Sequence, residues 1–409
     1  MRDLPTGPGT ARPVEPERQA RRPGRIPAIW LALLAAPLSF GIAGPALILD
    51  EAARGLGVSV GAVTWTVTAY GWGIAVGTPL TAGLLGRRGV RAALTVCGLL
   101  VSAGAILVVT APALPFLVLG SAVQALGTAG LMATAMNLAD SARRMGLVTA
   151  ALATVGSTAP LVGSLVTDLL SWRVALALPV LSVLAVPAVL RHAPRAATSR
   201  ARFDLVGAVL LTTLVTALVF IPHMPVAAGV CSIVAAVLLG LHLRVRHDGF
   251  VPTVLVRTPQ FLLSSGLAFS LALVNFGLIY AIPQQLAQHT GWTTSQIGVA
   301  MVWPLLLGGT LSWFVVAASA RVDRRLVITV LIAMGTVAPV TAALSVWALV
   351  LLIAQAVASI AAASGQGVFA VQATSAVPED QRPAAIGMFN LSYLLGAAFG
   401  PAIVSLLAI

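Results

Sequence analysis

Residues 62–111 read AVTWTVTAYGWGIAVGTPLTAGLLGRRGVRAALTVCGLLVSAGAILVVTA. Two apolar blocks flank a short turn whose only charged side chains are Arg87, Arg88 and Arg91. About twenty apolar residues wound at 1.5 Å per residue cross the ~30 Å hydrocarbon core of a bilayer. The stretch therefore reads as two membrane spans joined by a tight basic turn. The same pattern recurs along the chain, predicting spans near 26–49, 62–84, 91–111, 115–138, 146–168, 172–190, 205–222, 225–243, 260–282, 296–319, 326–344, 346–371 and 384–408. Composition agrees: of 409 residues 58% are hydrophobic and 9% charged, and mean hydropathy is +0.99. A soluble chain is about a quarter charged, and a disordered one is poor in apolar residues. Both classes are excluded, and the chain reads as an all-α polytopic membrane protein of about 13 transmembrane helices.

The arginines test that map. All 24 basic residues are Arg and none is Lys, which points to a GC-rich bacterial genome. With the N-terminus in the cytoplasm, the even-to-odd connections and the N-terminal segment hold every arginine except Arg54 and Arg173. This is the positive-inside distribution, and one span more or fewer would destroy it. The net charge of +12 thus reports orientation in a cell (plasma) membrane, with no nucleic-acid partner. Residues 1–25, rich in Pro, Arg and Gly, read as a disordered cytoplasmic tail before a retained first span. Cys97 and Cys231 both fall inside apolar runs, so neither a disulfide nor a metal site is expected.

Stretches in five of these spans carry a resemblance. Trp65-Thr-Val-Thr-Ala-Tyr70 opens the second span, which runs into Gly83-Leu-Leu-Gly-Arg-Arg-Gly-Val-Arg91. Gln124-Ala-Leu-Gly127 lies in the fourth, and Gly156-Ser-Thr-Ala-Pro160-Leu-Val-Gly163 in the fifth. Ser171-Trp172-Arg173 begins the sixth, and Phe203-Asp204-Leu-Val-Gly207 the seventh. In this order the set resembles the major facilitator superfamily, and within it the fourteen-helix drug:proton antiporter branch. The resemblance covers roughly residues 35–409. It implies two helical bundles with two extra central helices, and no cofactor. The expected units are 26–190 (six helices), a linker 191–204, the extra pair 205–243, a linker 244–259, and 260–409, with five helices and no counterpart of a sixth. The missing helix implies either a truncated sequence or a thirteen-helix variant.

In the family the turn holding Arg87, Arg88, Gly89 and Arg91 is a latch between the bundles; a basic loop fixing topology accounts for the arginines equally well. Gly89 would permit a positive φ there. The family's acid in this turn is replaced by Gly86 and its leading glycine by Ala82. Gly156, Pro160 and Gly163 share nearly one helix face, resembling the antiporter motif, with Ala159 and Ser164 where the family has glycines. Ordinary close packing is the alternative. The family's buried arginine before the glutamine is Ser121 here, and its first-helix acid is Leu38. Arg321-Val-Asp-Arg-Arg325 after the tenth span echoes the first basic turn, and Gly400-Pro401 echoes Ala159-Pro160, as a parallel internal repeat would.

Ionisable groups at mid-membrane depth are costly and mark function. None falls there: Asp50, Glu51 and Asp168 map to the outer rim, Asp140 and Asp204 to the inner rim. Asp50 and Asp140 remain the acids to consider for protons, a partner implied by the resemblance alone. Asp168 with Arg173, and Asp50 with Arg54, are positioned to pair. The deep polar groups are Gln124, Asn275, Tyr280, Gln355, Ser359, Gln366, Asn390 and Tyr393, candidates for a cavity lining or for interhelical hydrogen bonds. Gln355, Ser359 and Gln366 recur at +4 and +11, on one helix face. Such a lining suits a hydrophobic or amphipathic small molecule. The expectation is an exporter working by alternating access, with a downhill facilitator or a degenerate non-transporting relative as alternatives. No paired deep carboxylates, His cluster or metal spacing suggests an enzyme.

Overall fold

A computed structural model describes residues 26–193, 204–221, 224–245, 250–292 and 294–407. The expected tail 1–25, most of the first linker (194–203) and residues 246–249 of the second lie outside them. Among the described residues the chain is helical throughout, with no strand. The helices are α1 (Ala28–Ala35), α2 (Leu38–Ala43), α3 (Leu49–Leu56), α4 (Val60–Thr110), α5 (Leu114–Leu138), α6 (Ala142–Leu169), α7 (Trp172–Ala177) and α8 (Val186–His192). After these come α9 (Leu205–Phe220), α10 (Pro225–Val245), α11 (Thr253–Arg257), α12 (Pro259–Thr290), α13 (Thr294–Ser319), α14 (Arg324–Leu344), α15 (Ala348–Ser375) and α16 (Arg382–Leu407).

α4 has 51 residues, about 77 Å at helical rise and far too long for one crossing. Gly89 resolves this: at φ 74°, ψ −179° it leaves helical geometry and splits α4 into two arms. That backbone region is essentially reserved for glycine. The expected first span is also interrupted. It breaks at Ala36-Pro37 into α1 and α2, then tightens to a 3-10 turn over Gly44–Leu47 that contains Pro45. The sixth likewise runs α7, a 3-10 stretch Leu178–Ala185 and α8, with Pro179 and Pro187 at the changes. Proline removes a helical N–H and crowds the preceding turn.

Contacts between connections fix which helix ends share a membrane face. Arg91 Nε donates to Ala193 O at 3.3 Å. Arg143 lies 5.9 Å over the Trp313 ring, and Arg382 Nη2 donates to Ala139 O at 2.7 Å. These bonds gather the turns after the first arm of α4, α5, α8, α13 and α15 on one side, the basic face. Asp323 caps α14 there, accepting from Arg325 N at 3.1 Å. The two arginines out of pattern lie opposite, and Arg173 has partners other than expected. Arg173 donates to Ala111 O at 3.2 Å and stacks 4.3 Å over the Trp172 ring, not on Asp168. Arg54 meets Glu51 at 3.9 Å on an exposed face. The Asp50 side chain lies outside the described residues.

Hydrophobic packing shows how the bundles meet. One cluster near the basic face combines both, from Leu94, Met136 and Val148 to Val316, Phe369 and Phe389. Away from it the core divides. Ile48, Val108 and Trp172 pack within the first bundle, and Ile282, Met301 and Leu351 within the second. The bundles therefore touch on the basic side and part on the other. A pseudo-repeat is visible in the packing: α6 approaches the Gly44 backbone at Gly163, and α16 approaches the Gly277 backbone of α12 at Gly400.

The helix pair α9–α10 stands beside the first arm of α4. Trp72 Nε1 donates to Thr216 Oγ1 at 2.9 Å, and Phe250 packs on Gly83. At its root sits a buried clamp. Asp204 accepts from the N–H groups of Gly207 and Phe250 at 3.0 and 2.9 Å, and both its oxygens lie 2.9 Å from His242 Nε2. Burial raises the Asp204 carboxyl, but the two backbone N–H groups and His242 outweigh it and hold it below its ordinary value. With the folded-state value depressed, the clamp stabilises at neutral pH and fails only as acid protonates Asp204, below the usual carboxylate range near 3.9. At 5% exposure, Asp204→Asn is expected to cost about 1.5–3 kcal/mol. Thermal melts of the solubilised protein check this: the gap between the two proteins should persist from pH 7 to 5 and shrink below about pH 4. Coincident melts at pH 7 would reduce the clamp to an incidental contact.

Candidate substrate cavity

Where the bundles part, a cavity of about 390 Å³ opens between α2 and α6 on one side and α12, α13, α15 and α16 on the other. That volume falls in the range of small-molecule sites. The break at Pro37 turns Leu38, Ser39 and Ile42 into its wall. Tyr70 holds the bend from behind, its hydroxyl donating to Leu38 O at 3.1 Å and lying 3.2 Å from Thr128 Oγ1. Ser39 Oγ donates to Leu152 O at 2.8 Å, joining α2 to α6. Gly156 and Pro160 continue that wall, whereas Gly163 packs on Gly44 instead. The antiporter-like stretch is thus a seam between α2 and α6 whose nearer half faces the cavity.

The facing wall carries most of the polarity. Asn275 and Tyr280 on α12, Ser359 and Gln366 on α15 and Tyr393 on α16 line the space, between Phe276, Ile279, Leu305 and Leu394. Tyr280, 54% exposed, stands at the mouth away from the basic face. Asn275 Oδ1 accepts from Gln355 Nε2 at 3.1 Å and from Ser359 Oγ at 2.9 Å; Gln355 Nε2 also lies 3.0 Å from Ser359 Oγ. Among the described residues no Asp, Glu, Arg or His lines the cavity, and no group of His, Cys, Asp or Glu could hold a metal.

Three of the deep polar residues point elsewhere. Gln124 Nε2 donates to Ala177 O at 3.2 Å, bracing the sixth span where it turns from α to 3-10. Gln355 is fully buried behind Asn275. Asn390 Nδ2 donates to Met136 Sδ at 3.1 Å, bridging the bundles below the cavity. Arg87, Arg88, Gly89 and Arg91 lie on the basic face, as does Asp140, which pairs with Arg144 at 3.2 Å. Sequence reasoning missed Ser39, Phe276 and the role of Arg382. The Pro37 break could have flagged Ser39, since a broken span exposes its interior.

Comparison with known proteins accords with this geometry. A family model described as Major Facilitator Superfamily matches residues 29–274 and 264–409. Among solved structures the chain is similar to the human organic anion transporter MFSD10 (TETRAN), at TM-score 0.64 and 16% identity, covering 93% of this chain and 92% of that one. It is also similar to the proton:xylose symporter XylE, at TM-score 0.59 and 14% identity over 94% and 89% of the two chains. The POT family transporter PepTSo aligns at TM-score 0.57 and 16% identity, over 94% and 90%.

Proposed function

Because this chain belongs to the major facilitator superfamily, a family of membrane transporters, we propose that it exports hydrophobic or amphipathic small molecules by alternating access. The observation that carries this reading is the cavity itself: apolar walls with a few neutral polar groups and no described charged side chain. A charged or many-hydroxyl solute would lose its hydration there without replacement, at several kcal/mol per unmatched group. A lipophilic molecule loses little. The motif order, including the α2–α6 seam, supports placing the chain beside the drug:proton antiporter branch. The arginine distribution supports a bacterial plasma membrane with the basic face in the cytoplasm. In that orientation the cavity faces outward, the state in which an exporter releases its load.

Reconstitution tests the proposal. Proteoliposomes are expected to release a neutral lipophilic dye faster than empty vesicles while leaving a sugar and a dipeptide trapped. Gln366→Ala, which removes a cavity amide worth about 1 kcal/mol per hydrogen bond, is expected to change the rank order of released dyes without changing membrane insertion. Equal leakage with and without protein would favour the non-transporting alternative, and sugar release would overturn the substrate class.

A further inference from the structure

We infer that the cavity reads its substrate through the side-chain NH2 of Asn275, and so selects apolar molecules bearing a carbonyl or ether oxygen. The inference rests on the cavity being the substrate site. An amide side chain is ordinarily indifferent to polarity, since it can turn to present either its oxygen or its nitrogen. Asn275 has lost that freedom. Its Oδ1 takes two hydrogen bonds, from Gln355 Nε2 at 3.1 Å and Ser359 Oγ at 2.9 Å, both from the α15 side. Gln355 Nε2 donates as well to Ser359 Oγ at 3.0 Å, leaving the serine proton to Asn275. Gln355, 0% exposed, closes the triangle on the side away from the cavity. With its oxygen held on that side, Asn275 turns its NH2 toward the cavity it lines.

The sense of the triangle has a physical reason. As observed, the atom of the triangle left wholly without a partner is a carbonyl oxygen, Gln355 Oε1. Turning both amides would instead strand the Gln355 NH2, two buried donors. Orphaned N–H groups are rarer in proteins than under-satisfied carbonyls. No other polar group of the lining is a fixed donor: Ser39 and Ser157 give their protons to Leu152 O and Thr154 O, both at 2.8 Å, and can only accept. The hydroxyls of Tyr280 and Tyr393 rotate to donate or accept, and no described bond fixes the amide of Gln366. Asn275 is thus the lining's fixed donor, set among carbon surfaces such as Leu38, Ile42 and Phe276. A substrate oxygen opposite it gains a hydrogen bond. A substrate without one buries the NH2 unmatched, a difference of about tenfold in affinity.

Three rigid probes of one shape test this: 9-fluorenone presents an acceptor, fluorene presents none, and carbazole presents an N–H donor. Binding to the full-length protein in detergent or nanodiscs is read by competition with a bound dye. The unmodified protein is expected to bind fluorenone about tenfold more tightly than fluorene, with carbazole no better than fluorene. Asn275→Leu should erase the preference while still binding fluorene; Ser359→Ala, a milder change, should reduce it by freeing the amide to turn. Equal binding of fluorenone and fluorene to the unmodified protein, or a preference for carbazole, would overturn the inference with no variant needed. Ile279→Trp, which fills the cavity, separates the two levels of the argument. If it blocks all three probes while fluorenone and fluorene bind alike, only the Asn275 reading fails. If it leaves their binding untouched, the cavity reading fails and this inference falls with it.

Discussion

Arg382→Gln is expected to open the basic face, shifting the balance toward the state closed on the opposite side by tenfold or more. Arg382, at the first position of α16 in the second bundle, donates through Nη2 to the carbonyl of Ala139 at 2.7 Å. Ala139 ends α5 in the first bundle. The last carbonyls of a helix lack internal partners and carry the negative end of its dipole, so a guanidinium there is doubly favoured. A hydrogen bond involving a charged group contributes about 1.5–3 kcal/mol, a factor of ten to a hundred or more in an equilibrium. Other described contacts that cross here are softer: Asn390 to Met136 Sδ is a weak hydrogen bond, Arg143 lies over the Trp313 ring, and Gly387 simply packs on Ala82. The basic turn the motif suggested as a latch lacks its acid at Gly86, and its Arg91 bonds within its own bundle. Spin labels at Arg88→Cys and Val322→Cys, both exposed on the basic face, measure the gap between bundles. Longer distances in the Arg382→Gln background, with partial recovery in Arg382→Lys, are the expected result. Identical distance distributions would assign Arg382 to packing alone.

The spans were legible because a bilayer demands about twenty apolar residues per crossing, and because arginine is confined to one side. Gly89 could be read as a break because two spans must be joined by something tight. The interior of each span was less readable. In lipid every outward face is apolar too, so hydrophobic periodicity cannot separate the core from the lipid boundary. Val226, Ile233 and Leu241 on α10 are exposed, while Leu94 and Val101 in an equally apolar arm are buried. The same blindness affected the polar residues. Gln355 and Gln366 share a face of α15, but only Gln366 lines the cavity, because Asn275 stands in front of Gln355. Spacing along one helix fixes a direction; which neighbour occupies that direction depends on helices distant in sequence, 80 residues away for Gln355 and Asn275. Gln124 shows the consequence, its partner being a carbonyl freed where a distant span changes helix type. Arg173 shows it again, since a backbone carbonyl and a ring face outcompeted the nearby acid.

Energy coupling is where family resemblance and residues diverge, and export here is expected to run downhill, indifferent to the proton gradient. A coupling group must bind a proton from one side and release it to the other, so it must lie where the closing bundles can occlude it. The described cavity lining offers no carboxylate or imidazole for this. Where the family has a buried acid and arginine, this chain has Leu38, part of the apolar wall, and Ser121. Its described acids are engaged elsewhere or lie at the rims. Asp140 pairs with Arg144 on the basic face, Glu51 pairs with Arg54 opposite, and Asp204 is locked under α9 by His242 and two N–H groups. One proton exchanged per substrate across a one-unit pH step would supply about 1.4 kcal/mol, a tenfold accumulation. Proteoliposomes with such a step are therefore expected to equilibrate a neutral dye to equal concentrations inside and out. A protonophore should leave the initial rate essentially unchanged. A sustained tenfold accumulation that collapses with the protonophore would sink the downhill reading. Asp140→Asn and Asp50→Asn would then be the first variants to examine, Asp140 because its pairing with Arg144 could alternate with protonation, and Asp50 because α3 begins just beyond the cavity wall formed by α2.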